Sequence, residues 1–542
     1  MESSKVYLKE IESVLQELIK QEKIDTSLSF QLSKNEEYDI QCNDFVKFKD
    51  LPNGFKTKIE NEISNLGFIE VCLFSSNNFL NIKFANIYFE NCLIKSQNYE
   101  KIEKKKVLLD YGGFNIGKAL HVGHVRSLNI GRSLKKCLEF VGYDVNSDIH
   151  YGDWGVQMAQ IISYIEKENI NPQTLKIEDL DLIYPKASKL SKESQVFSKT
   201  VSDTLQKLNN KDPQKMDIWR KIYEISTTEI NKILADLNYE FELQYGESDV
   251  IDLIPELIEE YKKQELVVTD DGALIANDKQ DPPAILVKSD GTFMYLTTDI
   301  ATIVSREKDY KSDLYIYVTD QRQSFHFTQL FKMVEHLSLS NSDFRHVGFG
   351  TINDLEGKPL KTREGDVFKL LDLFDQIKKE VSKKNEDKKT VTTLAKSVMT
   401  YSDLATKRTS DYSFDIEKFV NVNGKSAIYL QYSQVRARKL LENKEVIRKF
   451  TKFNDDERNL AKEIINFSYA LDRTLETLEP HHLAEYGYAL CQKFNAFYKN
   501  NKVLSEDINE IVSLSRLSLV DTFYETILYV FNCLGIEPVE TM

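Results

Sequence analysis

Residues 110–127 read Asp110-Tyr111-Gly112-Gly113-Phe114-Asn115-Ile116-Gly117-Lys118-Ala119-Leu120-His121-Val122-Gly123-His124-Val125-Arg126-Ser127, and residues 150–155 read His150-Tyr151-Gly152-Asp153-Trp154-Gly155. Before the first stretch, Val107-Leu108-Leu109 is a short apolar run that reads as a buried strand. After it, Val125, Leu128, Leu134, Leu138 and Val141 recur at helical spacing, and Gly142 stands where a helix C-cap belongs. His121 and His124 therefore lie where a strand passes into a helix. In α/β proteins that is a phosphate-binding position, because unpaired N–H groups at a helix N-terminus attract anions. Gly123 removes a side chain between the histidines, which lets a base or ribose approach the backbone. Two imidazoles on one face can donate to a triphosphate as charge builds at the α-phosphorus. Alone, H-x-G-H equally suits two packed or surface histidines.

The context narrows this. Asn115 and Lys118 precede His121 by six and three residues, and Gly152-Asp153-Trp154-Gly155 follows. The block resembles the ATP signature of class I aminoacyl-tRNA synthetases, and N-x-x-K-x-x-H-V-G-H-x-R-S resembles the arginyl-tRNA synthetases in particular. The family usually has small residues and a Pro before the Asn; here Gly113-Phe114 stand there. The resemblance implies ATP-binding roles for His121, Gly123 and His124. The implied architecture is a Rossmann-like class I catalytic domain of α/β type over 101–410, with a mostly helical insertion near 165–240. A small N-terminal α+β domain, expected over 1–100, precedes it, and an all-α bundle over 411–542 follows.

Bulk properties agree. The chain has 542 residues, enough for three or four domains, and 41% are hydrophobic, enough for several cores. No apolar run is long enough to span a bilayer, and the first residues form neither a signal core nor an Arg-rich transit segment, so a cytoplasmic protein is expected with no membrane partner. Cys42, Cys72, Cys92, Cys137, Cys491 and Cys533 are scattered, without a C-x-x-C pair, and read as reduced core thiols rather than a metal site. The net charge of −14 argues weakly against nucleic-acid binding, since a basic stripe on an acidic body suffices.

In the N-terminal domain, Leu8, Ile11, Leu15, Leu18 and Ile19 form one helix face. Residues 68–71 and 79–84 read as strands of a hairpin around Ser75-Ser76-Asn77-Asn78. The family carries a hairpin here that touches the tRNA elbow; by that resemblance Phe79 and Asn81 are tRNA-binding positions, the alternative being an ordinary exposed turn. The basic run 101–106 reads as a linker.

Further motifs follow in order. Strand-like segments return at 265–268, 284–288 and 314–318, after helical residues that include a stripe at Trp219, Ile222, Ile225 and Ile230. Tyr295 and Asp299 are four apart, hence on one helix face. Pattern alone would make them a core Tyr and a capping Asp. The segment Tyr295-Leu296-Thr297-Thr298-Asp299-Ile300-Ala301 resembles the family's arginine motif, which implies a carboxylate fork and an aromatic wall for a planar cation. By the same resemblance Glu247 is a second carboxylate, Asp110 an acidic pocket residue, and Asn115 and Gln323 hold the α-amino group. Asp320-Gln321-Arg322-Gln323-Ser324-Phe325-His326 resembles a family motif that puts His326 near the adenosine. Asp320 and Arg322 themselves read as a local ion pair. Gly357-Lys358-Pro359-Leu360-Lys361-Thr362-Arg363-Glu364-Gly365 stands where the second ATP motif belongs, with Thr362 at the place of its second Lys. The resemblance implies that Lys118 substitutes for that cation, leaving Lys358, Lys361 and Arg363 for the β- and γ-phosphates. In isolation this nonapeptide reads as a surface loop.

From about 385 the pattern is helical. Tyr432, Arg436 and Tyr498 are implied tRNA contacts, while core packing is expected for Phe494 and Phe497. The resemblance implies ATP with Mg2+ as cofactor, no dedicated protein metal site, L-arginine and tRNA(Arg) as partners, a monomer, and tRNA bound before activation. Lys118, His121 and His124 are its catalytic residues. The alternatives are a class I synthetase for another amino acid and an inactive tRNA-binding paralogue.

Overall fold

The computed structural model describes all residues except 1, 34, 36, 49, 50, 95–103, 279–281, 359 and 361–367. Its centre is a four-stranded parallel sheet in the order 343–349, 314–320, 106–111, 144–148. Val107, Leu108 and Leu109 are fully buried, as a strand covered on both faces requires. Helix Gly123–Phe140 connects the two strands on one side and helix Ser324–His336 those on the other. The sheet therefore reverses its winding between 106–111 and 314–320, and a crevice opens at their C-terminal ends. Ser127 ties those ends together: its hydroxyl accepts the Gly112 N–H (2.8 Å) and donates to the Val318 carbonyl (2.9 Å).

Where a helical insertion is expected, near 165–240, the chain forms helices Val156–Lys167, Ile177–Glu193, Gln195–Asn209 and Pro213–Asp236. Two of the three returning strands do not join the parallel sheet. Val267–Asp270, Ala273–Ala276 and Ile285–Val287 form a separate antiparallel sheet. The cause is local: Asp271 and Gly272 both have positive φ (43° and 79°), the geometry of a two-residue hairpin turn.

The N-terminal unit packs helix Glu2–Gln21 and its buried Ile11, Leu15, Leu18 and Ile19 beside an antiparallel sheet ordered 30–32, 40–42, 80–84, 69–74. It docks on the C-terminal bundle, where Arg458 bonds Asp39 (2.7 Å) and the Phe84 carbonyl (2.9 Å). Helices from Ala427–Leu441 to Glu510–Leu534 form that bundle, with Phe494 and Phe523 stacked 3.9 Å apart in its core. The bundle rests on the catalytic helix 123–140 through Ser133 Oγ and the Cys533 carbonyl (2.9 Å). Beside it, the buried pair Arg126–Asp403 (2.9 Å) joins that helix to Lys388–Leu404. All six cysteines are buried. Among the described residues no helix is long and apolar enough to cross a membrane.

Candidate active site

Beyond Tyr111 the chain turns through Gly112 and Gly113, both at positive φ (100° and 59°). The helix begins at Gly123, so His121 precedes it and His124 lies in its first turn. The rings stack, centroids 3.9 Å apart and 22° from parallel. The His121 N–H donates to His124 Nδ1 (3.0 Å), and the Gly123 N–H to His121 Nδ1 (3.1 Å). Both Nδ1 atoms are acceptors, so the proton of each neutral ring sits on Nε2. Burial, then the Lys118 charge, holds His121 below its ordinary pKa; burial, then the His121 and Lys118 charges, holds His124 well below. The pair is thus two fixed neutral donors. Gly123 lines the cleft and also serves the turn itself. A Cβ there would lie 2.9 Å from the His121 ring, so the missing side chain makes room for the histidine itself.

The crevice is a cleft of about 530 Å³, lined by Gly112, Gly113, Asn115, His121–His124, Val318–Asp320, Gln323 and residues 349–352. Asn115 and Gln323 thus face one space across the switch point. Asp320 and Arg322 form an exposed bidentate pair (2.9 and 2.6 Å), the local ion pair expected of them. Lys118 is outside this lining: its Nζ stands 4.1 Å from the centroid of the Tyr184 ring, on the insertion.

A second recess of about 190 Å³ contains Glu247, Tyr295, Trp154 and Thr298. Tyr295 opens helix Tyr295–Asp309 and is 74% exposed. Glu247 is half-buried, and its carboxyl is pushed up to about 8 by burial and then by the charges of Asp299 and Asp153. Among the described residues no Lys or Arg is bonded to Glu247 or Asp299. Asp299 is instead bonded to His326 Nε2 (2.5 Å). Burial alone would lower His326; the Asp299 bond and charge reverse this and raise it. His326, expected by the adenosine, is thus bonded to the acid expected to hold the guanidinium. Asp110, expected to meet substrate, is buried and already holds the chain's own guanidinium: Arg306 Nη2 lies 2.6 Å from both Asp110 Oδ2 and Asp148 Oδ2. Burial pushes the Asp110 carboxyl up to about 7 even beside Arg306.

Lys358 is exposed and paired with Glu356 (2.9 Å); Lys361 and Arg363 lie outside the described residues. Just after them, the Val122 N–H bonds the Phe368 carbonyl (2.9 Å) and the Leu370 N–H the Leu120 carbonyl (3.0 Å). The second loop's root is thus zipped to the histidine turn.

Outside the cleft's lining, Tyr432, Arg436 and Tyr498 converge. The Arg436 guanidinium lies over Tyr432 (4.1 Å) and Tyr498 (5.2 Å) and donates to the Tyr432 hydroxyl (2.8 Å). Phe494 and Phe497 are fully buried. Phe79 and Asn81 are half-buried on the hairpin, and the Asn81 amide donates to the Phe79 carbonyl (3.2 Å).

Sequence reasoning missed Arg306, Ser127, Arg126 and Tyr184. Arg126 and Ser127 stood inside the quoted H-V-G-H-x-R-S run, where only the histidines and Gly123 received roles. Nothing in the sequence flags Arg306 or Tyr184.

Two family models cover most of the chain: the catalytic domain of "tRNA synthetases class I (R)" matches residues 88–416, and the DALR anticodon binding domain matches 430–542. The chain is 32% identical to the arginine–tRNA ligase of Alkaliphilus oremlandii, over 93% of this chain and 94% of that one. It is also 32% identical to that of Francisella tularensis subsp. novicida, over 86% of each. The fold matches the arginyl-tRNA synthetase of Plasmodium falciparum with a TM-score of 0.83 and 26% identity, over 98% and 99% of the two chains. It matches that of Thermus thermophilus at 0.81 and 18%, over 98% and 100%. With its histidine cleft at the switch point of a parallel sheet and a helical bundle behind it, this chain belongs to the class I arginyl-tRNA synthetases.

Proposed function

We propose that the protein is an arginine–tRNA ligase whose two chemical steps share this cleft. The carboxylate of L-arginine attacks the α-phosphorus of ATP, and pyrophosphate leaves. The terminal 2′-OH of tRNA(Arg) then attacks the carbonyl carbon of arginyl-adenylate, and AMP leaves. His121 and His124 offer Nε2–H donors to the α-phosphate, where negative charge grows. Lys118 supplies the cation, with Lys358, Lys361 and Arg363 toward the β- and γ-phosphates and Mg2+ carried on the nucleotide. No covalent nucleophile is needed; positioning and charge do the work. Asn115 and Gln323 hold the α-amino group. Glu247 and Asp299 take the guanidinium against the Tyr295 ring, while Asp110 shapes the recess through Arg306.

One observation carries the arginine assignment: Glu247 and Asp299 sit together with no Lys or Arg bonded to either among the described residues, and Glu247 is driven toward its neutral form. A cation of matching shape relieves that state. The test is pyrophosphate exchange with each amino acid in turn in the presence of total tRNA. Arginine alone is expected to support exchange. Exchange with a different amino acid refutes the pocket, and tRNA binding without adenylate identifies an inactive paralogue.

A further inference from the structure

The insertion helix Ile177–Glu193 reaches the ATP side of the cleft at two residues three apart, Asp181 and Tyr184, which therefore share one face. Asp181 Oδ1 accepts the Ala119 N–H (2.9 Å), and its Oδ2 accepts Lys369 Nζ (2.7 Å). Ala119 follows Lys118, and Lys369 closes the root of the second loop, where it bridges to His121. The Lys118 ammonium rests on the Tyr184 ring (4.1 Å). One helix face thus touches both ATP elements.

The choice of groups is informative. A lysine chain is flexible and its ammonium strongly hydrated, so a catalytic lysine needs holding. A carboxylate would hold it but would cancel the charge that the phosphate requires. An aromatic face attracts the ammonium and leaves its charge whole. The nearby carboxylate, Asp181, is spent on a neutral amide and on a different lysine. Tyr184 also adds to the upward shift of Tyr295, after burial and Glu247, which places the same ring near the arginine recess.

We propose that Tyr184 and Asp181 are positioning residues for adenylate formation: Tyr184 pre-places Lys118, and Asp181 fixes the Lys118-Ala119 backbone against the second loop. This rests on the role given to Lys118 above. Misplacement by about 1 Å costs on the order of 100-fold in rate, so Tyr184→Leu is expected to lower kcat of pyrophosphate exchange by about 10- to 100-fold. The arginine KM stays within about twofold, because uniform binding is untouched. Tyr184→Phe keeps the ring and restores turnover. Asp181→Ala lowers kcat several-fold.

The decisive measurement is the cycle with Lys118→Ala. If Tyr184 acts through Lys118, adding Tyr184→Leu to Lys118→Ala costs little more. Losses that multiply, or a Tyr184→Phe as poor as Tyr184→Leu, overturn the positioning role. A wild-type kcat in Asp181→Ala overturns its half of the clasp. Lys118→Ala with normal turnover would instead reject the reading of Lys118 itself, so the two failures are distinct.

Discussion

At the histidine end of the cleft the polar groups are neutral, and main-chain amides from the same short turn hold them in place. At the acidic end, Asp299 and Glu247 come from two helices and Asp110 from a strand, far apart in the chain, and burial forces Glu247 and Asp110 toward neutrality. The difference follows from what each substrate brings. A triphosphate carries its own negative charge, so its site needs fixed donors and one cation with no competing carboxylate. An arginine carries a cation, so its site needs a carboxylate with no Lys or Arg bonded to it, as Glu247 is among the described residues. The first arrangement is comfortable when empty. The second is not, and Glu247 relieves it by binding a proton up to about pH 8.

The largest test of this division is Lys118→Ala. Removing one charge-stabilising donor from a transition state typically costs about 100- to 1,000-fold in kcat. That loss is expected in pyrophosphate exchange, with the arginine KM changed less than about twofold. A parallel loss in both constants would show that the two ends are not separable. The mirror experiment is Glu247→Gln. Losing a charged hydrogen bond to the guanidinium costs about 1.5–3 kcal/mol, roughly 10- to 100-fold in affinity. Here the arginine KM rises and kcat at saturation stays within a few-fold.

The halves also differ in how far they were legible. The histidine turn, its flanking strand and helix, and Asn115 lie within one contiguous stretch, so spacing alone placed them at a strand-to-helix passage. The acidic recess depends on contacts between residues more than 150 apart, such as Arg306 with Asp148. No local pattern reports that Asp110 is already engaged or that His326 turns to Asp299. The antiparallel sheet at 267–287 shows the same limit: its outer strands are visible as 265–268 and 284–288, but the middle strand Ala273–Ala276 and the Asp271-Gly272 turn that pairs it are not. Tyr432, Arg436 and Tyr498 were visible only through family resemblance, because helical spacing does not separate a packed ring from an exposed one.

pH separates the ends further. A guanidinium favours the ionised Glu247, whose folded-state pKa without substrate is raised to about 8. Arginine affinity is therefore full above pH 8 and falls as pH drops below it, by a slope approaching about tenfold per unit. His326 acts in the same direction, since its raised pKa keeps it an imidazolium on Asp299 to higher pH than usual. The ATP end depends on pH less, because burial holds both histidines below their ordinary pKa. The check is the KM for arginine and for ATP between about pH 6 and 8.5. Arginine KM should fall with rising pH while ATP KM changes less, and Glu247→Gln should remove most of the arginine slope. An ATP KM that moves in step would place the titrating group at the wrong end.

The smallest effect belongs to the bundle, which repeats the cation-on-ring design with no carboxylate bonded to the cation among the described residues. Arg436 lies across Tyr432 and Tyr498, its second nitrogen bonded to Asn495 (2.9 Å), so its charge is directed but not neutralised. Such a guanidinium suits a phosphate or a splayed base. Arg436→Ala should raise the KM for tRNA about five- to tenfold, worth roughly 1–1.4 kcal/mol. It should also flatten the dependence of log KM on log salt by about 0.7, the share of one single-strand phosphate contact. At saturating tRNA, kcat should equal that of the unaltered chain, because the cluster contributes no residue to the cleft's lining. Arg436→Lys should recover part of the salt slope and little of the affinity, since an ammonium keeps the charge but loses the planar stack between two rings. A kcat that falls at saturating tRNA would mean that the bundle bears on the catalytic helix through the Ser133–Cys533 contact, and not through tRNA alone.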